Sequence, residues 1–264
     1  MSFLMVLTEE VWAVAAAAGL LGLVLGSFLN VCTMRWPLDE SVVRPPSRCP
    51  GCGSGIRWYD NVPVLSYVLL RGRCRECGAF ISPQYPLVEL ATGLVWAGAF
   101  LHYGLSFEAL RGALFLSILL GIAVTDARFY IIPDQFSLGG AVLGLALAPL
   151  PGGVATVDAL LGTGVGFGVL WLVARVGGWL FKREAMGGGD LKMMAMVGAF
   201  LGLGGVFLTI FLGALLGSVI FGPISWKTGK LVPFGIFLAA GAAVTWGWGD
   251  QLIGWYVETF LTIG

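Results

Sequence analysis

The chain alternates between long apolar runs and short polar breaks, with little of the one-sided patterning that marks a soluble helix or strand. Runs near 11–31, 86–103, 109–125, 135–149, 155–178, 191–203, 205–222 and 232–249 approach the length needed to cross a bilayer, which is about 20 residues for a helix. The pattern predicts an all-α polytopic membrane protein with about eight transmembrane helices. Two of these runs are separated only by Gly202-Leu203-Gly204-Gly205, and the first of the pair is short for a full crossing. One tilted or longer element therefore stands beside two spans as a reading of 191–222. The first run lacks a basic flank and an obvious cleavage site, so it is expected to be retained as a helix.

Composition agrees with this pattern: 58% of the 264 residues are hydrophobic, 11% are charged, and mean hydropathy is +0.90. Formal net charge is zero and no basic tract points to nucleic acid. The positions of the cations are more informative. Arg35, Arg44, Arg48, Arg57, Arg71, Arg73 and Arg75 fall in one stretch, 34–84, which the positive-inside rule assigns to the cytoplasm. Alternation from there puts Arg128, Lys182 with Arg183, Lys192, and Lys227 with Lys230 on the same side. The turns near Gly104, Pro151 and Asp250 are nearly free of positive charge. The expected organisation is a first helix at 1–33, a cytoplasmic loop domain at 34–84 and a membrane core at 85–264.

The loop domain carries four of the five cysteines, in the spacing C-x2-C-x21-C-x2-C: Cys49, Cys52, Cys74 and Cys77. Two such pairs suit one tetrahedral zinc ion, and a loop on the reducing side of the membrane is not expected to keep disulfides. A loop this short buries little core, so a metal is a reasonable means of folding it. Cys32 reads as a buried small hydrophobe.

Carboxylates at membrane depth are costly, which makes them functional suspects. Asp126 closes one apolar run. Asp190 follows three glycines in Met186-Gly187-Gly188-Gly189-Asp190-Leu191-Lys192, and both aspartates are expected at the cytoplasmic ends of their helices. Such a pair can act as general base and general acid in peptide hydrolysis. The glycines remove side-chain bulk beside Asp190, so an extended chain can approach it. The bland alternative is a flexible turn with Asp190 as a helix N-cap.

The other polar positions carry smaller expectations. Asp134, after Pro133, reads as an N-cap and Asp158 as interfacial. Glu89 either receives the charge of a substrate or faces interfacial water. Lys192 either biases the aspartates or anchors a helix end. His102 is given no chemical role, and Trp12, Trp246, Trp248 and Trp255 read as interface anchors.

Taken together, these residues resemble the type IV prepilin peptidases, intramembrane aspartic proteases of the GxGD class. The resemblance rests on Gly26-Ser27-Phe28-Leu29-Asn30-Val31 with Arg35, on Asn61 to Tyr67 between the cysteine pairs, and on Tyr85-Pro86-Leu87-Val88-Glu89. It extends to Asp126 with Ile132-Pro133-Asp134, to Gly187–Lys192 and to Pro233-Phe234-Gly235. It implies a multi-pass enzyme of the bacterial inner membrane with catalytic Asp126 and Asp190. Such an enzyme cuts the short basic leader from prepilins or pseudopilins after a glycine at the cytoplasmic face. It also implies methylation of the new N-terminus from S-adenosylmethionine. Glu89 is a possible leader-binding group, and Gly187, Gly188, Gly189 and Lys192 a substrate-proximal loop. Two other classes remain: an ion-coupled transporter using Asp126 and Asp190, which is disfavoured by their position away from the midplane, and a zinc-loop scaffold without catalysis.

Overall fold

Helices make up nearly all of the regular structure in the computed structural model, which describes residues 2–182, 186–228 and 233–261. The long elements are α1 (Ser2–Arg35), followed after the loop domain and its short α2 (Leu65–Leu69) by α3 (Gln84–Tyr103), α4 (Phe107–Phe129) and α5 (Asp134–Leu147). Then come α6 (Thr156–Phe181), α7 (Gly188–Thr228) and α8 (Phe234–Tyr256). The eight predicted runs all fall on these helices. Four stretches, Glu10–Leu38, Phe107–Phe129, Thr156–Leu180 and Gly188–Ile220, are long and apolar enough to cross a membrane. Arg183 and Lys230, two of the cations used to orient the chain, lie outside the described residues.

The chain forms two compact units, Met1–Gly121 and Ile122–Gly264. In the first, α1 lies antiparallel on α3 through small residues. A Cβ at Gly22 would stand 2.7 Å from that of Trp96, and one at Gly26 would stand 2.7 Å from the Cα of Glu89. Close backbone approach of this kind is how membrane helices gain dispersion energy where lipid gives them no hydrophobic drive to associate. Trp96 and Phe100 stack beside Ala18, Ala109 and Ala113, and the indole N–H of Trp96 finds Ser117 Oγ at 3.1 Å.

In the second unit, Met193, Met194, Met196, Val197 and Phe200 of α7 are fully buried. α6 and α7 meet through two facing Gly-x3-Gly pairs, Gly162 with Gly166 and Gly198 with Gly202: a Cβ at Gly162 would stand 2.7 Å from the carbonyl oxygen of Gly198. The predicted runs at 191–203 and 205–222 form one element, α7, broken at Gly202, whose φ of 69° and ψ of −170° no helix contains. Only glycine adopts that conformation cheaply. The Leu203 N–H freed by the break donates to Asp158 Oδ1 at 3.1 Å. Asp158, expected merely to sit at the interface, is the cap of the restarted helix.

The loop domain repeats itself at a period of 25 residues. In the first knuckle Cys49 N donates to Ser54 O (2.9 Å) and Gly53 N to Cys49 O (2.9 Å); in the second Cys74 N donates to Ala79 O (2.8 Å) and Gly78 N to Cys74 O (2.9 Å). Gly53 and Gly78 close the two turns at φ 72° and 69°. Arg75 grips Asp60 through Nε and Nη2, one edge of its guanidinium (2.6–3.1 Å), Arg57 reaches Glu76 (3.0 Å), and Arg75 and Arg57 sit over Tyr59 at 5.8 and 5.9 Å. These contacts tie the first knuckle's exit to the second knuckle.

Candidate active site and metal centre

Asp126 lies one turn from the end of α4. The helix stops because Tyr130 takes a left-handed conformation (φ 56°), its N–H donating to Asp126 O at 3.0 Å, and because Pro133 follows. The short return brings Ile132, buried, into the second unit's core before α5 begins at Asp134. α8 begins just after Pro233, so Gly235 and Ile236 occupy its first turn, where backbone N–H groups lack helical partners. Asp126 supplies one: Ile236 N–H donates to Asp126 Oδ2 at 3.0 Å, with the Gly235 N–H directed at the same carboxylate. The side chain of Asp126 is thereby fixed by a helix start 110 residues away.

Asp190 is in the first turn of α7 and half-buried. It is a helical residue rather than the N-cap of the bland alternative. Its neighbour Gly189 abuts Ile132, whose Cβ would be 2.9 Å from a Cβ at 189, and the tip of Ile132 would be 2.8 Å from a Cβ at Gly235. A chain of close contacts therefore runs Gly189, Ile132, Gly235, Asp126, and links the start of α7, where Asp190 sits, to the Asp126 carboxylate. Gly187 and Gly188, the outer glycines of the turn, are exposed. The structure thus brings together Asp126, Asp190 and the three glycines.

Lys192 belongs to the same end, but its ammonium pairs with Asp134 at 2.7 and 2.9 Å, bracing the first turn of α7 to that of α5. Asp134 is therefore not an N-cap, as its position after Pro133 had implied. Pro133 occupies that place and Asp134 is the first helical residue. Three contributors were not visible as such in the sequence: Gly235 and Ile236, which hold Asp126, and Ile132, which lies against both Gly189 and Gly235. The hints were Ile132-Pro133-Asp134 and the Pro-Phe-Gly at 233–235, a proline-initiated helix next to a glycine.

Glu89 has an internal partner. It is 9% exposed and accepts the Val64 N–H at 2.7 Å, linking α3 to the loop before α2. His102 makes an edge contact with Tyr103, and Cys32 is buried as expected.

The four thiols of Cys49, Cys52, Cys74 and Cys77 converge, all sulfurs lying within 4.8 Å of one another, with Cys49 and Cys77 3.8 Å apart. A tetrahedral ion with bonds of about 2.3 Å requires sulfur–sulfur edges of about 3.8 Å. The donor set and spacing fit such an ion. Hydrogen bonds from the side chain and backbone of Ser54 push the Cys52 thiol down to about 6. Cys77, although a backbone N–H at Ala79 favours its thiolate, is pushed up to about 12 by Cys52 and the other thiols around it. Four sulfurs this close hold a proton among them unless a cation takes its place.

Apolar helices long enough to cross a membrane, with Asp126 and Asp190 both in the second unit, and a four-thiol loop define a polytopic membrane protein. The profile described as "Bacterial Peptidase A24 N-terminal domain" matches residues 20–103, and that described as "Type IV leader peptidase family" matches residues 113–222. The chain belongs to the type IV leader peptidase family. Among its relatives, a protein of Stutzerimonas stutzeri is 37% identical over 93% of this chain and 94% of its own length. One of Bacillus subtilis (strain 168) is 33% identical over 91% and 96%, respectively. One of Myxococcus xanthus (strain DK1622) is 42% identical over 81% of this chain but only 64% of its own length. All three are named prepilin leader peptidase/N-methyltransferase. No solved structure matched the chain.

Proposed function

We propose that this protein is an aspartic endopeptidase of the bacterial inner membrane. In this reading it removes the short basic leader of type IV prepilins or pseudopilins after a glycine at the cytoplasmic face, and then N-methylates the exposed N-terminus from S-adenosylmethionine. The observation that carries the peptidase reading is the meeting of Asp126 and Asp190 beside the Gly187–Gly189 turn, in a chain whose relatives bear that name. Nothing among the described residues favours the transporter.

The ionised aspartate of the pair takes a proton from water, which attacks the scissile carbonyl, while the protonated one donates to the carbonyl oxygen. The resulting gem-diol collapses, the C–N bond breaks, and the proton first taken from water goes to the leaving amine. Which aspartate plays which part belongs to the pair. Three consecutive glycines leave the backbone before Asp190 open to an extended substrate strand. The first-turn N–H groups of α8 keep the Asp126 side chain in one rotamer, so little reorganisation precedes attack.

The cysteine loop at 34–84, on the cytoplasmic side in this reading, holds one structural zinc ion through Cys49, Cys52, Cys74 and Cys77. The membrane core at 85–264 carries the peptidase. Positive residues at the same face match a substrate whose leader emerges into the cytoplasm.

Purified protein in detergent, given a synthetic substrate with a basic leader ending in glycine and followed by an apolar helix, is expected to cut after the glycine. Asp126→Asn and Asp190→Asn should each abolish the cut while leaving the melting temperature near that of wild type. Cleavage retained by either variant would remove that aspartate from the mechanism.

A further inference from the structure

At the junction of α1 and α3, the first unit buries a polar seam that the peptidase chemistry does not use. Asn30 is 2% exposed; its Nδ2 donates to Tyr85 O at 2.9 Å, and its Oδ1 has no hydrogen-bond partner among the described residues. A buried amide oxygen without a protein donor is uncommon, and where one occurs a donor from outside the chain is the natural explanation. One turn back along the same faces of the two antiparallel helices, Gly26 lies against Glu89, and Ser27 hydrogen-bonds the Glu89 carboxylate. Because 26 and 30, and 85 and 89, are each one turn apart, Asn30 and Glu89 occupy consecutive turns of one seam.

The cover over this seam is strained. Pro63-Val64-Leu65 closes on itself through Leu65 N to Pro63 O at 2.6 Å, with Val64 at φ 60° and ψ −48°. That is a three-residue turn of the rare positive-φ form, and a β-branched residue is its least comfortable occupant. The N–H that projects from this turn is the one Glu89 holds at 2.7 Å. Strain in a turn that a buried carboxylate helps to hold is the kind of outlier from which a functional hypothesis is rightly drawn.

The ligand chemistry follows from the groups on offer. An amide oxygen without a donor and a carboxylate whose present donor sits on a strained turn together suit a group rich in N–H and carrying positive charge. Leader removal, on the reading above, leaves such a group: a free α-amine that must be held for methylation. We infer that the Asn30–Glu89 seam, with the Val64 turn as its movable cover, is the site that binds the new α-amine for methyl transfer. It is built from other residues than the aspartate pair. As the turn lifts, the ammonium gives one proton to the Glu89 carboxylate and a hydrogen bond to Asn30 Oδ1. The neutral amine's lone pair then forms a bond to the methyl carbon of the sulfonium donor. The S–C electron pair stays on sulfur, leaving a neutral thioether, and the product departs as a secondary ammonium.

The inference rests on the methyltransferase reading, and the test separates the two. Wild type, Asn30→Leu and Asn30→Asp, reconstituted in lipid nanodiscs, would be assayed for cleavage, for methyl transfer from labelled S-adenosylmethionine, and for binding two synthetic peptides. Both peptides are the apolar helix left by cleavage, one with a free α-amine and one N-acetylated. Wild type should bind the free amine more tightly. Asn30→Leu should lose that preference and at least about tenfold of methyl transfer, with cleavage within about twofold of wild type, whereas Asn30→Asp, which keeps an acceptor, should retain the preference. If Asn30→Leu keeps the preference and methylates normally, the inference is wrong while the methyltransferase stands. If cleavage falls in parallel with methylation, Asn30 is structural and the inference is equally wrong. If wild type transfers no methyl group at all, the methyltransferase reading fails and takes the inference with it.

Discussion

Gly235→Ala is the substitution whose effect the geometry defines most sharply. A methyl group at 235 would stand 2.9 Å from Asp126 Oδ2, 3.1 Å from its Cγ and 2.8 Å from the tip of Ile132. Side-chain carbons do not approach so closely, and Ile132 is itself confined by Gly189 on its other side. The carboxylate must therefore swing away and give up the Ile236 N–H, now at 3.0 Å. A hydrogen bond to a charged group contributes about 1.5–3 kcal/mol, and each 1.36 kcal/mol is about tenfold in rate. The expected loss in kcat/KM for leader cleavage is therefore about 10- to 150-fold. Alanine is the better helix former, so the first turn of α8 should survive and melting should shift by only a few degrees. The assay is initial-rate cleavage of the synthetic prepilin-like substrate in detergent, with thermal unfolding measured on the same samples. Cleavage by Gly235→Ala within twofold of wild type would show that the Asp126 position set by α8 does not matter to the reaction, and would refute the reasoning.

Other consequences follow from the same contacts. Asp158→Ala removes the cap at Leu203 and should lower stability by about 1 kcal/mol, read as a lowered melting temperature; an unchanged melting temperature would mean that water serves the break equally well. Lys192→Met and Asp134→Asn each break one partly exposed ion pair, so each should cost less than about 1 kcal/mol. The double variant should then lose little more than either single one in a thermal double-mutant cycle. Elemental analysis should find one zinc per chain, and chelation or Cys52→Ser should unravel the loop, detected as faster proteolysis within residues 34–84. Far less than one zinc, with the cysteines found oxidised, would count against the metal.

Features set by local sequence were readable in advance, and features set by distant partners were not. The apolar runs located every long helix, and the two C-x2-C pairs foretold the convergence of four sulfurs, because a knuckle is closed by its own few residues. The Gly-Gly-Gly-Asp turn and the apolar run ending in Asp126 marked both aspartates. Gly202 looked like a boundary between two helices. The Leu203 N–H beyond it is held by Asp158, 45 residues away, which lets α7 resume after one residue. Lys192 and Asp134 are 58 residues apart, and their pairing overrode the capping habit of an aspartate that follows a proline. The positive φ of Val64 is likewise invisible along the chain, since one of the bonds that hold the turn comes from Glu89 on another helix.

The break in α7 also bears on the lipid. From its start to the break, residues 188–201 span about 21 Å at 1.5 Å per residue, against about 30 Å for an ordinary hydrocarbon core. The cap formed by Asp158 on Leu203 is a polar joint, which lipid chains solvate poorly. A bilayer that thins around the protein relieves this mismatch, and one that stiffens or thickens opposes it. Since Asp190 begins the same short segment, its depth and that of the joint are mechanically one variable. On the peptidase reading, membrane thickness is then expected to set the depth of the aspartates. Nanodiscs of increasing acyl-chain length should lower cleavage of one and the same substrate without any change in the protein.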